Sequence, residues 1–139
     1  MSRPENRLQL MERLGAVQFN NRLAWCGVNE AEKKVYFSIW TDSVHTHNGE
    51  KGYIIQEPDW GINDGTGNKD APRNDQDAKL SLVLEHGYEP YGYFIVAKDR
   101  TTYPREIAET RTSFVFRLRL DTLEDGSIFG VPNGRIEVT

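Results

Sequence analysis

Three tryptophans and a few well-spaced carboxylates are the side chains of this sequence best suited to holding a flat polar ring. Trp25 and Trp40 stand in neighbouring strand-like stretches, Asp42 follows the second of them, and Trp60 lies in a glycine-rich segment. Stacking on an aromatic ring is worth roughly 1–3 kcal/mol per nucleobase. A carboxylate at the edge of an extruded base reads its hydrogen-bonding pattern. Tyr93 and Asp99 bound a further strand-like stretch, and Lys98, Arg100 and Arg105 cluster at its end. Such cations grip phosphates and set register rather than sequence preference. The expected base-binding set is therefore Trp25, Trp40, Trp60, Asp42, Tyr93 and Asp99, and the expected phosphate-binding set is Lys98, Arg100 and Arg105. The same indoles would serve equally as core filling with Asp42 as a turn residue, and both readings stand at this point.

Other chemistry is less well supplied. In HTHNGE, His45 and His47 are spaced to point the same way from a strand, and Glu50 follows. That set suggests a metal site, hence a small metal-dependent hydrolase as an alternative, although the downstream histidine of a cupin-type site is missing. EAEKK and VAKDR hold the residue types of a metal-dependent nuclease without the required spacing on one strand. Nucleophile and phosphate-loop motifs are absent, since GTGNKD lacks both the flanking strand and the Gly-Lys-Ser/Thr ending. Cys26 sits among apolar neighbours and reads as a small buried hydrophobe. No cofactor is expected, and a non-enzymatic role is favoured.

The 139 residues suffice for one domain with its own core, taken as residues 1–139. The net charge of −4 gives no overall pull toward nucleic acid, but the charge is unevenly spread. Residues 57–77 carry six acids against Lys69 and Arg73, whereas residues 98–119 carry six cations against three acids. The first segment suggests a second alternative, a regulatory subunit that docks a protein partner through an acidic loop. The single cysteine fits a reducing, cytoplasmic setting. Apolar runs fall short of the ~20 residues that cross a bilayer, so no membrane contact is expected.

The elements that must position these groups follow from periodicity. Residues 1–15 form an amphipathic helix with Ser2 as cap, Pro4 in the first turn, Gly15 as terminator and Leu8, Met11 and Leu14 facing inward. A strand is expected over 16–19, then the pair 22–28 and 35–40. In the second of these, Val35, Phe37 and Ile39 oppose Tyr36, Ser38 and Trp40. SVHTHNGEKG reads as a loop, residues 53–56 as a short strand, and 57–77 as a long polar loop ordered in part by packing or ligand. A helix capped by Asp75 or Asp77 then buries Leu80, Val83 and Leu84 and ends at Gly87. YFIVAKD is a strand, Pro104 opens a single turn, and TSFVFRLRL alternates Phe114, Phe116, Leu118 and Leu120 with Ser113, Val115, Arg117 and Arg119. SIFGV, a PNG turn and RIEV close the chain. The sum is an α+β fold, a strongly curved antiparallel or mixed sheet of six or seven strands, or a small β-barrel, with about two packed helices.

The succession RLAWCGV, VYFSIWTD, HGYEPYGYFIVAKD, YPREI, DGSIFGV, GRIEV resembles a small bacterial domain type linked to modification-dependent restriction proteins, where it stands alone or is joined to a nuclease module. The residues that carry the resemblance are Trp25, Trp40 with Asp42, the Ala97–Asp99 strand end and Pro104–Ile107, within residues 14–138. More loosely, the chain is similar to the PUA-like barrels that include the SRA, EVE, ASCH and YTH readers of modified bases. The resemblance implies a curved barrel whose aromatic pocket accepts a base turned out of its helix. It also implies a DNA or RNA partner, modified or not, a nuclease subunit as a further partner, and a place in prokaryotic defence.

Overall fold

Strand-like alternation dominates the sequence, and in the computed structural model it becomes one eight-stranded sheet with a helix on each face. The structure describes residues 6–16, 26–98 and 107–138. In chain order the elements are α1 (Arg7–Arg13), β1 (Cys26–Asn29), β2 (Lys34–Trp40), β3 (Val44–His47), β4 (Glu50–Gln56), α2 (Ala71–His86), β5 (Glu89–Ala97), β6 (Ile107–Thr110), β7 (Phe114–Thr122) and β8 (Ile128–Glu137). The strands run β1-β2-β5-β7-β8-β4-β3, with β6 also paired to β5. Every pair is antiparallel except β2 and β5, which are parallel because β3, β4 and α2 intervene in the chain. The α+β class, the mostly antiparallel sheet and the two helices agree with expectation, whereas the described strands number eight instead of six or seven and their order does not close into a barrel.

The two faces of β2 divide as the alternation predicts. Val35, Phe37 and Ile39 join Phe116, Leu118 and Leu80 of α2 in one core. Tyr36 and Trp40 join Tyr91, Tyr93, Ile95 and Val115 beneath Leu10 and Met11 of α1 in the other. β7 follows its predicted alternation as well, with Phe114 and Leu120 on the α2 side and Arg117 and Arg119 exposed. Each such buried aliphatic or aromatic side chain contributes roughly 1.5–3 kcal/mol over leaving it in water. Gly92 is needed at the centre, where a Cβ would lie 2.7 Å from both Ile39 Cδ1 and Phe116 Cε2. Tyr53 of β4 meets Phe94 of β5 with ring centroids 5.2 Å apart, although those strands are not neighbours in the sheet.

Four expectations need correction. The first helix is capped by Asn6 in a capping box with Gln9, and it buries Leu10 and Met11 while Leu8 faces outward. Ser2, Pro4, most of the expected 16–19 strand and residues 22–25 lie outside the described residues. The polar stretch becomes helical early, because Asp70 accepts the Arg73 N–H at 2.9 Å and Pro72 suits the first turn. Asp75 and Asp77 therefore lie inside α2, and Leu84 is exposed. The segment read as a loop around His45 is a hairpin, with Asn48 at φ 50° and Gly49 at φ 79° forming a type I′ turn between β3 and β4. Finally, Pro132–Gly134 is not a chain reversal. Leu118 pairs with Pro132 and Phe116 with Arg135, so the extra residue bulges within one long strand β8.

Candidate functional site

The parallel pair fixes what lies beside what at one end of the sheet. Trp40 is in register with Ile95, and the Thr41 N–H donates to the Ile95 carbonyl at 3.1 Å. Asp42, two residues beyond Trp40, and Lys98, just beyond Ala97, consequently share the carboxyl end of β2 and β5. A turn closed by Ser43 N–H to the Trp40 carbonyl, 3.0 Å, then leads into β3. Trp40 is half-buried against the α1-side core, Asp42 is half-buried and Lys98 is exposed. An indole face, a carboxylate and an ammonium are the groups that stack, read and neutralise a nucleotide. Trp25, Asp99, Arg100 and Arg105 lie outside the described residues.

Two members of the expected base-binding set are not at this end of the sheet as binding groups. Tyr93 is fully buried, so its ring is core and offers no stacking surface. Its hydroxyl is sealed in without a hydrogen bond of good geometry. Burial raises its pKa, and the nearby Arg7 and Ser38 only partly oppose that rise. Trp60 is tied to α2 on the opposite face of the sheet, through an Arg73 Nη1–H donating to its carbonyl at 2.6 Å. The same Nη1 reaches the Pro58 carbonyl at 3.0 Å, and Arg73 Nε is 3.1 Å from Asp77. Lys69, Gln56 and Gln76 complete this network, with Lys69 Nζ 2.7 Å from Asp77 and Gln76 donating to Gln56 at 2.9 Å. The loop after β4 is thus held by protein groups. Burial would raise the Asp77 carboxyl, but hydrogen bonds from Lys69, Gln56 and Arg73 hold it below the usual aspartate range.

The metal triad is not assembled. His45 and His47 do share a face, both edge-on to Phe129 with centroids 5.6 and 5.9 Å away. Glu50, however, is gripped by Arg119 through bonds of 3.0 and 2.6 Å, which lower its pKa and raise that of the guanidinium. Among the described residues, no three His, Cys, Asp or Glu side chains are grouped to hold a metal ion. Cys26 is buried, and burial pushes its thiol up to about 12, which leaves no thiolate for nucleophilic work near neutral pH.

The two histidines instead line an open cavity of about 780 Å³. Its other polar walls are Glu57 and Asp59 after β4, and Glu124, Asp125 and Ser127 in the β7–β8 turn. Ile54, Pro58 and Leu123 supply apolar surface, and among the described residues no lysine or arginine lines it. Asp125 is held low chiefly by the Ser127 backbone N–H at 2.8 Å and then by the Ser127 side chain, with a smaller contribution from His45. The acids at 57 and 59 stand out in the sequence, but their meeting with the distant 123–127 turn depends on the β4–β8 pairing. No protein-family model matches the chain, and comparison with curated proteins and with solved structures likewise found no match.

Proposed function

We propose that the chain is a non-enzymatic nucleic-acid reader that docks with the carboxyl end of the β2–β5 pair. Trp40 stacks on a modified or extruded base, Asp42 reads its edge, and Lys98, with Arg100 and Arg105 beyond it in sequence, meets the phosphates. The observation behind this reading is the convergence of Trp40, Asp42 and Lys98 at the end of the parallel pair. In open α/β sheets ligands are commonly held in the crevice where connections diverge beyond the carboxyl ends of parallel strands, and the β2–β5 pair is the part of this sheet to which that comparison applies. The approach of Tyr53 to Phe94 across non-adjacent strands supports strong curvature of the PUA-like kind. The setting inferred from the sequence resemblance is prokaryotic defence against, or with, modified nucleic acid.

Indole fluorescence during titration with methylated and hydroxymethylated duplexes and single strands tests the reading. Quenching by one modified ligand is expected, with affinity falling about 5- to 150-fold in Trp40→Ala, the loss of roughly 1–3 kcal/mol of stacking. Lys98→Gln should weaken binding uniformly across sequences and flatten the salt dependence by about 0.7–0.9 in log–log slope. No quenching and no retention by any ligand in the panel would end the proposal.

A further inference from the structure

Among the described residues β3 is the last strand on its side of the sheet, and its pairing reveals which of its amides point away from β4. In a two-residue hairpin the residues flanking the turn form a hydrogen-bonded pair, and bonded and non-bonded pairs alternate from there. His47–Glu50 and His45–Gly52 are then bonded pairs, whereas Thr46–Lys51 and Val44–Tyr53 are not. The Ile54 N–H donating to the Ser43 carbonyl at 3.0 Å continues the alternation. The backbone N–H and C=O groups of Val44 and Thr46 therefore point away from β4. Among the described residues no strand lies beyond them, and Val44 is 47% exposed. An edge of this kind, with neither lysine nor proline, is a template for an added strand.

The chemistry beside that edge selects what is added. His45 and His47 project on the face that carries the 780 Å³ cavity, whose carboxylates are Glu57, Asp59, Glu124 and Asp125. A strand laid against β3 would sit ~4.8 Å away and place every second side chain on that face. We infer that the β3 edge binds an extended peptide segment of a partner protein, with lysine or arginine at alternate positions reaching the acidic cavity. Main-chain bonds to Val44 and Thr46 supply affinity, and the carboxylates supply the choice of sequence, as in other strand-addition complexes. Charge complementarity excludes the rival occupants. Nucleic acid would bring phosphates onto four carboxylates, and a second copy pairing β3 with β3 would bring two acidic cavities together with no lysine or arginine in either strand. This site does not depend on the base-reading proposal, because it lies at the β3 edge and uses none of the same side chains.

The test uses a short fluorescein-labelled peptide of alternating lysine and valine. Its controls are a glutamate–valine counterpart and a version N-methylated on alternate amides, which keeps the charge and loses the ladder. Only the first is expected to bind at low salt, weakening toward about 0.2 M salt, with NMR shifts centred on the Val44 and Thr46 amides. The Glu57→Gln/Asp59→Asn/Glu124→Gln variant leaves the Asp125 turn bonds intact. Once its folding is verified by its amide spectrum, it should bind at least about tenfold more weakly. No binding, equal binding of the N-methylated peptide, unchanged binding by the variant, or a concentration-dependent dimer that hides β3 would each overturn the inference.

Discussion

A buried polar network on the α2 side of the sheet and one buried hydroxyl on the α1 side are satisfied to very different degrees. On the α2 side, Arg73, Asp77, Gln56, Gln76 and Lys69 satisfy one another, and Arg73 also takes up the carbonyls of Pro58 and Trp60. On the α1 side, the Tyr93 hydroxyl is enclosed beneath Leu10 and Met11 with no bond of good geometry. A satisfied network fixes one arrangement of a loop, whereas an orphaned hydroxyl lowers the cost of rearranging whatever covers it. The α2-side network is accordingly a firm support, whereas the α1 side, which carries Trp40 and is itself anchored by Asn29 donating to the Leu14 carbonyl at 2.9 Å, has stability to gain at Tyr93. The proposed base-reading end belongs to that second side.

The largest blow to this contrast should come from Arg73→Ala. It leaves the Pro58 and Trp60 carbonyls and part of the Asp77 charge without a partner. The expected cost is about 3 kcal/mol, the lower end of the range for breaking a buried pair, because Asp77 is partly solvated. Urea unfolding measures it. Arg73→Lys should recover little, since one ammonium cannot bond Asp77 and two carbonyls with the geometry of a guanidinium. A loss under about 0.5 kcal/mol would mean that the loop's own turns, such as Asp70 N–H to the Gly61 carbonyl at 2.8 Å, hold it unaided.

Tyr93→Phe is the converse experiment on the other face. Removing an unsatisfied buried hydroxyl should leave stability unchanged or raise it by up to about 1 kcal/mol. A loss of about 1 kcal/mol would show instead that Ser38 or Arg7 bonds the hydroxyl in solution, and the contrast between the faces would narrow.

Much of this arrangement could be read from residue order, and the failures have definite physical causes. Val35, Phe37 and Ile39 separate from Tyr36 and Trp40 by alternation alone, and Gly87 ends α2 in a left-handed conformation as expected. The Asn48–Gly49 turn was also legible, because two adjacent residues suited to positive φ mark a tight hairpin, yet the polar β3 hid the strand. The Asp70 cap was masked because the first turns of α2 bury Arg73 and Gln76 rather than an apolar stripe. The bulge at Pro132–Gly134 was not legible, since turn and bulge differ only in which β7 residues stand opposite. Tyr93 could be assigned a face, but its enclosure by α1 is a contact between distant segments that no local pattern encodes.

The finest probe of the contrast is pH. The folded-state pKa of Asp77 is depressed, so on acidification the unfolded chain takes up its proton first. The stability it contributes is complete above the unfolded aspartate value of about 3.9 and is lost as pH falls through the lower folded value. Glu50 and Asp125 are shifted in the same direction, but both are solvent-exposed and should respond to salt far more than Asp77. Acid unfolding followed at low and at high salt therefore separates them. The salt-insensitive part of the decline should vanish in Asp77→Asn and persist in Glu50→Gln. If the two variants exchange those behaviours, the α2-side network is not the better-insulated one, and the difference between the faces lies in packing alone.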